Sequence, residues 1–506
     1  MDAEEFRKHA KMAIDYIIDY NENIRNRQVL PSVEPGYLHK LIPSTAPAAP
    51  EDWSVIIPDI ERFIQPGLTH WNSPNFNGFF PAGNSYPSIF GEILSAGLGC
   101  VGFNWMLSPA CTELEVIVLD WLAKLMGLPE HFLAEAPGPG GGIIQGSGSE
   151  GILVALLTAK ERTVRQIKPL HPNIDEGTVK AKLVAYFSDQ SNSAVEKACL
   201  LGSVRIRPIK SNPNGTLKAC QLKNAIVEDR ENGLIPCFVV ATLGTTATCA
   251  FDDLTQIGSI CEAEGVWLHV DAAYAGAAFV CPEYRYLMAG LEYADSLNMN
   301  PHKWLLVNFD CSCFWVKDRA HLLNAFTVDR DYLRDHYSEI MRQNWAPNFR
   351  NWEIPLGRRF RALKLWITLR MFGESNLRNF IRKQVSMAKR FESKIQADSR
   401  FELCAPVCLG LVCFRIVGEE FLTRELLSVV LDSRELFLNG ATLHGKYFLR
   451  YAICSRDMDL SDVDKGWTII SNATEAVFSR HANKSQQVIA DMTNANVNTL
   501  KAGISR

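Results

Sequence analysis

The chain is 506 residues long, 47% apolar and 21% charged, with 33 Gly and 24 Pro; this is a globular composition and excludes collagen-like, coiled-coil and wholly disordered classes. Its 52 basic and 56 acidic residues leave a net charge of −4 with no long run of either sign. Nucleic acid and anionic membrane are therefore not expected partners, because both require a concentrated basic surface. No stretch approaches 18 apolar residues and the acidic opening carries no signal-type apolar block, so a cytoplasmic, non-membrane protein of two or three domains is expected.

Phe6, Ala10, Ala13, Ile14 and Ile17 recur at helical spacing and predict an amphipathic N-terminal helix. The rest of residues 1–85 is rich in Pro and aromatics without regular periodicity, and reads as an arm packed on something else, such as a second subunit. Residues 86–360 form a large domain. Apolar, β-branched runs at 183–187, 204–209, 237–244, 266–274 and 311–316 alternate with helical stretches. Strands without polar alternation, interleaved with helices, predict an α/β fold whose mainly parallel sheet is covered on both faces. Residues 361–476 follow as a smaller α+β domain, with a helix from ALKLWITLRMFG and strands in FELCAPVCLGLVCFRI and KYFLRYAICS. Residues 477–506 are mostly polar, with no Phe, Trp or Tyr after Phe478, which predicts a loosely held or disordered tail. The 14 cysteines contain no CxxC pair, so buried reduced thiols are expected rather than disulfides or zinc ligands.

Gly146-Ser-Gly-Ser-Glu-Gly151 spells GxGxxG. A dinucleotide site would need an acidic residue about 20 positions further on, and position 171 falls in KPLHPN instead. What remains is a Gly/Ser turn ahead of a helix, which aims free backbone N–H groups at an anion. Asp271 closes the run VWLHVD, at the carboxyl end of a strand, where α/β ligands bind. Lys303 stands in an apolar neighbourhood, and a desolvated lysine of lowered pKa is what carbonyl chemistry requires. Anion cradle, strand-end Asp and buried Lys together point to pyridoxal 5′-phosphate (PLP).

On the stretches FFPAGNSYPSI, GFNWMLSPACTELE, IIQGSGSEG, HVDAAYAG, SLNMNPHKWLLVNFDC and WEIPLGRRFRALKLW, the chain resembles the group II PLP-dependent aromatic L-amino acid decarboxylases from Phe6 to about Ser479. The resemblance implies a fold type I PLP enzyme, a homodimer whose arm wraps the partner and whose active sites lie at the interface. It implies that Lys303 binds the cofactor covalently, that Asp271 pairs with the ring nitrogen and that Ala273 lies under the ring. Ser147, Gly148, Ser149, Asn300 and His302 would hold the phosphate, with Gly148 where the family usually has Ala, a change expected to be harmless because the donor is backbone. Thr246 would flank cofactor or substrate. Phe79, Phe80, Pro81, Ala82, Val101 and Phe103 would form the aromatic-substrate pocket, and Tyr332 would fall in a catalytic loop.

The departure is Asn192, where family decarboxylases carry a His that stacks on the ring and helps deliver a proton. An amide cannot act as an acid near neutral pH. Without rapid protonation at Cα after CO2 loss, O2 can compete as a co-substrate and oxidise that carbon, giving aldehyde, ammonia and H2O2. Asn192 with a retained Tyr332 is similar to the insect aromatic acetaldehyde synthases, the 3,4-dihydroxyphenylacetaldehyde synthases above all, and Phe79 in place of the usual Tyr points the same way. That resemblance implies L-dopa as the aromatic L-amino acid substrate and, in an insect, a role in crosslinking flexible cuticle. The alternative is a plain decarboxylase releasing dopamine or related amines.

Overall fold

The computed structural model describes residues 1–80, 82–328, 330 and 347–503, with side chains described through 482. Pro81 and Tyr332 lie outside the described residues. The chain opens with a helix, Ala3–Glu22, started by a capping box in which Asp2 and Glu5 satisfy each other's backbone N–H. None of its residues is buried, and Phe6 and Ile14 are exposed.

Seven strands form the central sheet: β1 Gly141–Gln145, β2 Leu183–Ser188, β3 Arg205–Ile209, β4 Ile235–Thr242, β5 Trp267–Asp271, β6 Ser296–Met299 and β7 Ser312–Val316. Their order is β1-β7-β6-β5-β4-β2-β3, and every pair is parallel except those made by β7, which runs antiparallel to β1 and β6. β2 and β5 are buried at every residue, the condition under which a strand loses its polar alternation. The five predicted strands are present. Two were not legible: β1 (GGIIQ) is glycine-rich and β6 (SLNM) is half polar, so neither has strand propensity. Pairing on both sides of β7 and β6 overrides that weakness.

A second, antiparallel sheet contains β8 Phe401–Leu403, β9 Leu411–Ile416, β10 Asn439–Leu443 and β11 Lys446–Ala452 in the order β10-β11-β9-β8. One face of it carries its own apolar core, which includes Phe391 stacked on Tyr451 at 3.9 Å, while Leu411, Cys413, Phe448 and Ala452 join the core of the large sheet. The helix Arg361–Gln396 links the two regions and is interrupted at Gly373 (φ 64), a conformation that glycine adopts without steric cost. The main chain of the expected loose tail is instead helical, because the helix begun at Leu460 runs on to Gly503. No Pro occurs in that span and no Gly between Gly466 and Gly503, so nothing in the sequence stops it. Ten of the 14 cysteines are buried, as small apolar side chains would be, and Cys220 is exposed. Among the described residues no helix is long and apolar enough to cross a membrane.

Candidate active site

The turn after β1 is fixed by two side chains. Ser147 caps the helix Gly148–Ile167, its Oγ accepting from Glu150 N at 3.2 Å, and Glu150 Oε2 accepts from Gly146 N at 2.8 Å. The first N–H groups of that helix have no intrahelical acceptor. A Cβ added to Gly148 would stand 3.2 Å from Asn300 Nδ2 and 3.3 Å from Asn298 Nδ2, so two amide donors crowd the same point. Alanine here would require those amides to move by a few tenths of an ångström. Asn300 Oδ1 is occupied by Ser312 Oγ at 2.6 Å, which leaves the Asn300 amide nitrogen as the free end.

His302 completes this donor set. Its Nδ1 accepts from Cys311 N at 2.9 Å, and burial, aided by the nearby Lys303 and Lys364, pulls its pKa down to about 3. The ring is therefore neutral and carries its proton on Nε2, as a donor. Helix N–H groups, Asn300 and His302 fit the phosphate of a cofactor by the chemistry of the donors. Ser149 is the outlier of the predicted shell, because its side chain is exposed.

Lys303 lies in the short helix Pro301–Trp304 that follows β6. Burial holds its ammonium below the ordinary lysine range, and the Asp271 carboxylate opposes that shift. Asp271 ends β5, and its Oδ1 accepts from Ala273 N at 3.0 Å and Asn298 Nδ2 at 3.2 Å. Ala273 O in turn accepts from Asn300 N at 3.0 Å, joining the strand-end Asp to the phosphate-type donors.

The segment around Phe79 packs behind the lysine turn. Gly83 N donates to His302 O at 2.5 Å, and a Cβ on Gly83 would meet three carbonyls, those of His302, Lys303 and Val307, at 3.3 Å each. Phe80 stacks on Tyr274 at 3.6 Å, Tyr274 stacks on Trp304 at 4.7 Å, and the Arg450 guanidinium sits 5.0 Å from the Phe80 centroid. Phe79 is held at φ 54, strained for a non-glycine residue, and its N–H reaches Asn439 Oδ1 at 2.6 Å. Val101 and Phe103 are tied elsewhere: Gly102 N donates to Arg358 O at 2.8 Å, and Arg350 lies over Phe103 at 5.2 Å. Val101 itself is 55% exposed.

Asn192 and Thr246 meet directly. Asn192 Oδ1 caps the helix Ser193–Gly202 by accepting from Ala194 N at 3.0 Å, and its Nδ2 donates to Thr246 Oγ1 at 3.0 Å. Sequence reasoning missed Asn298, His269, Arg450 and Asn439. Asn298, His269 and Arg450 sat in quoted stretches, but only the β5–β6 register shows that the first two belong together.

Residues 35–417 match the family model described as the pyridoxal-dependent decarboxylase conserved domain. The chain is 49% identical over 478 residues to the aromatic-L-amino-acid decarboxylase of Mus musculus, covering 94% of this chain and 99% of the mouse protein. It is 51% identical over 472 residues to the 3,4-dihydroxyphenylacetaldehyde synthase of Drosophila melanogaster, covering 93% and 92%. Among solved structures, that of Oryza sativa TDC with PLP and tryptamine superimposes with a TM-score of 0.90 at 35% identity, covering 94% of this chain and 99% of that one.

Proposed function

The chain belongs to the pyridoxal-dependent decarboxylase family, whose cofactor is PLP, and from that membership we propose that it converts L-dopa, O2 and water into 3,4-dihydroxyphenylacetaldehyde, CO2, NH3 and H2O2. When bound, PLP supplies the electron-withdrawing ring that accepts the electron pair left at Cα as CO2 departs. In this reading Lys303 would bind the cofactor through its amine, Asp271 would receive the ring N–H and Ala273 would contact the ring. Ser147, Gly148, Asn300 and His302 would hold the phosphate, with Ser149 contributing through its backbone N–H. Phe79, Phe80 and Ala82, with Val101 and Phe103 brought from a second copy, would enclose the aromatic ring of the substrate.

The observation that carries the reading is the side chain at position 192. Asn192 has its oxygen committed to a helix cap and one amide hydrogen committed to Thr246. It offers no titrating proton where the resemblance implies an imidazole. A positioned general acid is worth about 10²–10⁴ in rate. Its absence lengthens the life of the unprotonated Cα by a comparable factor and gives O2 time to react there.

We read the assembly as a homodimer with the N-terminal arm wrapped on the partner. The helix Ala3–Glu22 buries none of its residues in its own chain, and Phe90, Leu98, Val101, Met106 and Leu107 are all exposed. A second copy would cover such an apolar run, and would bring Val101 and Phe103 to a neighbouring site.

The deciding experiment is aerobic turnover of L-dopa with product chromatography, an oxygen electrode and a peroxide assay. One O2 consumed and one H2O2 formed per aldehyde is expected. Dopamine without peroxide would overturn the reading in favour of a plain decarboxylase.

A further inference from the structure

β5 and β6 carry an unusual stripe. Trp267, His269 and Asp271 alternate on one face of β5, and the register sets Ser296 opposite His269 and Asn298 opposite Asp271. Trp267 Nε1 donates to Ser296 Oγ at 2.8 Å, and Ser296 Oγ lies 2.8 Å from His269 Nδ1. His269 Nε2 lies 2.9 Å from Asn298 Oδ1, and Asn298 Nδ2 donates to Asp271 Oδ1 at 3.2 Å. Trp267, His269, Ser296 and Asn298 are fully buried, and the His269 ring is flanked by Phe238 and Phe314, each 6.0 Å away.

The direction of this chain is fixed from both ends. The Asp271 carboxylate only accepts, so Asn298 must turn its nitrogen towards it and its oxygen towards His269. That oxygen also only accepts, so His269 Nε2 must carry a proton. Burial pulls the His269 pKa down to about 4, so the ring is neutral and its Nδ1 is an acceptor. Ser296 therefore gives its hydroxyl proton to Nδ1, and its oxygen receives the Trp267 indole N–H. Every donor in the sequence Trp267, Ser296, His269, Asn298 points towards Asp271, and such a unidirectional chain strengthens each of its bonds. Asn298 Nδ2 also stands beside Gly148, at the start of the candidate phosphate cradle.

We propose that His269 is a positioning residue: through Asn298 it orients the Asp271 carboxylate and holds it as the acceptor for the protonated ring nitrogen of PLP. This rests on the reading that Asp271 faces that nitrogen. His269 is fully buried and bonds Asn298, not Asp271: it acts by anchoring the Asn298 oxygen and so holding the Asn298 donor against Oδ1.

The test uses the full-length holoenzyme loaded with PLP labelled at the ring nitrogen, observed by solid-state 15N NMR, together with the PLP dissociation constant of the full-length apoprotein. H269F cuts the chain; H269Q can still donate to Asn298 from its own amide. H269F is expected to move the ring-nitrogen signal towards the unprotonated position and to weaken PLP binding about tenfold, the size of one lost hydrogen bond between neutral groups. H269Q should restore the signal. A folded H269F with unchanged signal and unchanged affinity overturns the proposal. Should H269F fail to fold, the smaller H269L decides: it too leaves Asn298 Oδ1 without a donor and should move the same signal in the same direction, and an unmoved signal overturns the proposal. D271N separates the two levels. If D271N leaves the signal unmoved, Asp271 does not face the nitrogen and the underlying reading fails; if D271N moves it and H269F does not, only the His269 proposal fails.

Discussion

Asn192 Nδ2 donates to Thr246 Oγ1 across 3.0 Å while Asn192 Oδ1 caps the helix Ser193–Gly202. One amide thus performs two structural tasks at the position proposed to choose the product. Asn192→His should shift the product from aldehyde towards amine, with peroxide per turnover falling in step. Chromatography of L-dopa turnover checks this, and a variant that still makes only aldehyde would place the switch elsewhere.

The cap predicts a second, independent effect. Asn192→Ala removes the acceptor for Ala194 N and should cost about 1 kcal/mol of stability, whereas Asn192→Asp keeps an oxygen in place and should cost less. Urea unfolding of the three proteins separates these outcomes from any change in chemistry.

Arg358 makes a bidentate pair with Glu115, at 3.0 and 2.6 Å, and also donates to Ile144 O at 3.1 Å, while Glu115 Oε1 accepts from Ile144 N at 2.7 Å. A buried ion pair therefore clamps edge strand β1 just before the Gly146–Gly148 turn. Arg358 also pairs with the buried Glu353, so Arg358→Met leaves two buried carboxyl groups without their cation and should destabilise by about 3–5 kcal/mol. Replacing all three side chains with apolar residues should recover most of that loss, and unfolding of the single and triple variants in denaturant measures the difference.

The pKa of His302 falls from 6.5 to about 3 in the folded protein. The native state therefore binds fewer protons than the unfolded one below pH 6.5. The stability gained by keeping His302 neutral is fully present above pH 6.5 and is lost as the pH falls towards 3, at about 1.4 kcal/mol per pH unit. His269, lowered to about 4, acts in the same direction. His302→Gln should make the fall in unfolding free energy between pH 6.5 and 4.5 shallower by one proton. Equal slopes for variant and parent would refute the neutral assignment.

The sequence by itself determined the fold class and the chemical inventory. Uniformly apolar runs such as LVAYF can only be strands buried on both faces, and β2, β4 and β5 formed where those runs stand. Lys303, Asp271 and the Gly146–Gly148 turn were legible because each is costly or unusual in its surroundings: a charge among apolar residues, a carboxylate at a strand end, a cluster of glycines. β1 and β6 were not legible, because GGIIQ and SLNM have weak strand propensity and are held by their neighbours. The polar tail continues as helix to Gly503, since polarity without Pro or Gly does not stop a helix already begun.

Only the tertiary structure decided which polar groups meet. Asn192 and Thr246 are 54 residues apart, and His269 and Asn298 are joined by strand register. A hydrogen bond depends on distances of about 3 Å and on which atom donates. Neither is written in composition or periodicity; both follow once β5 and β6 lie side by side and buried groups must find partners.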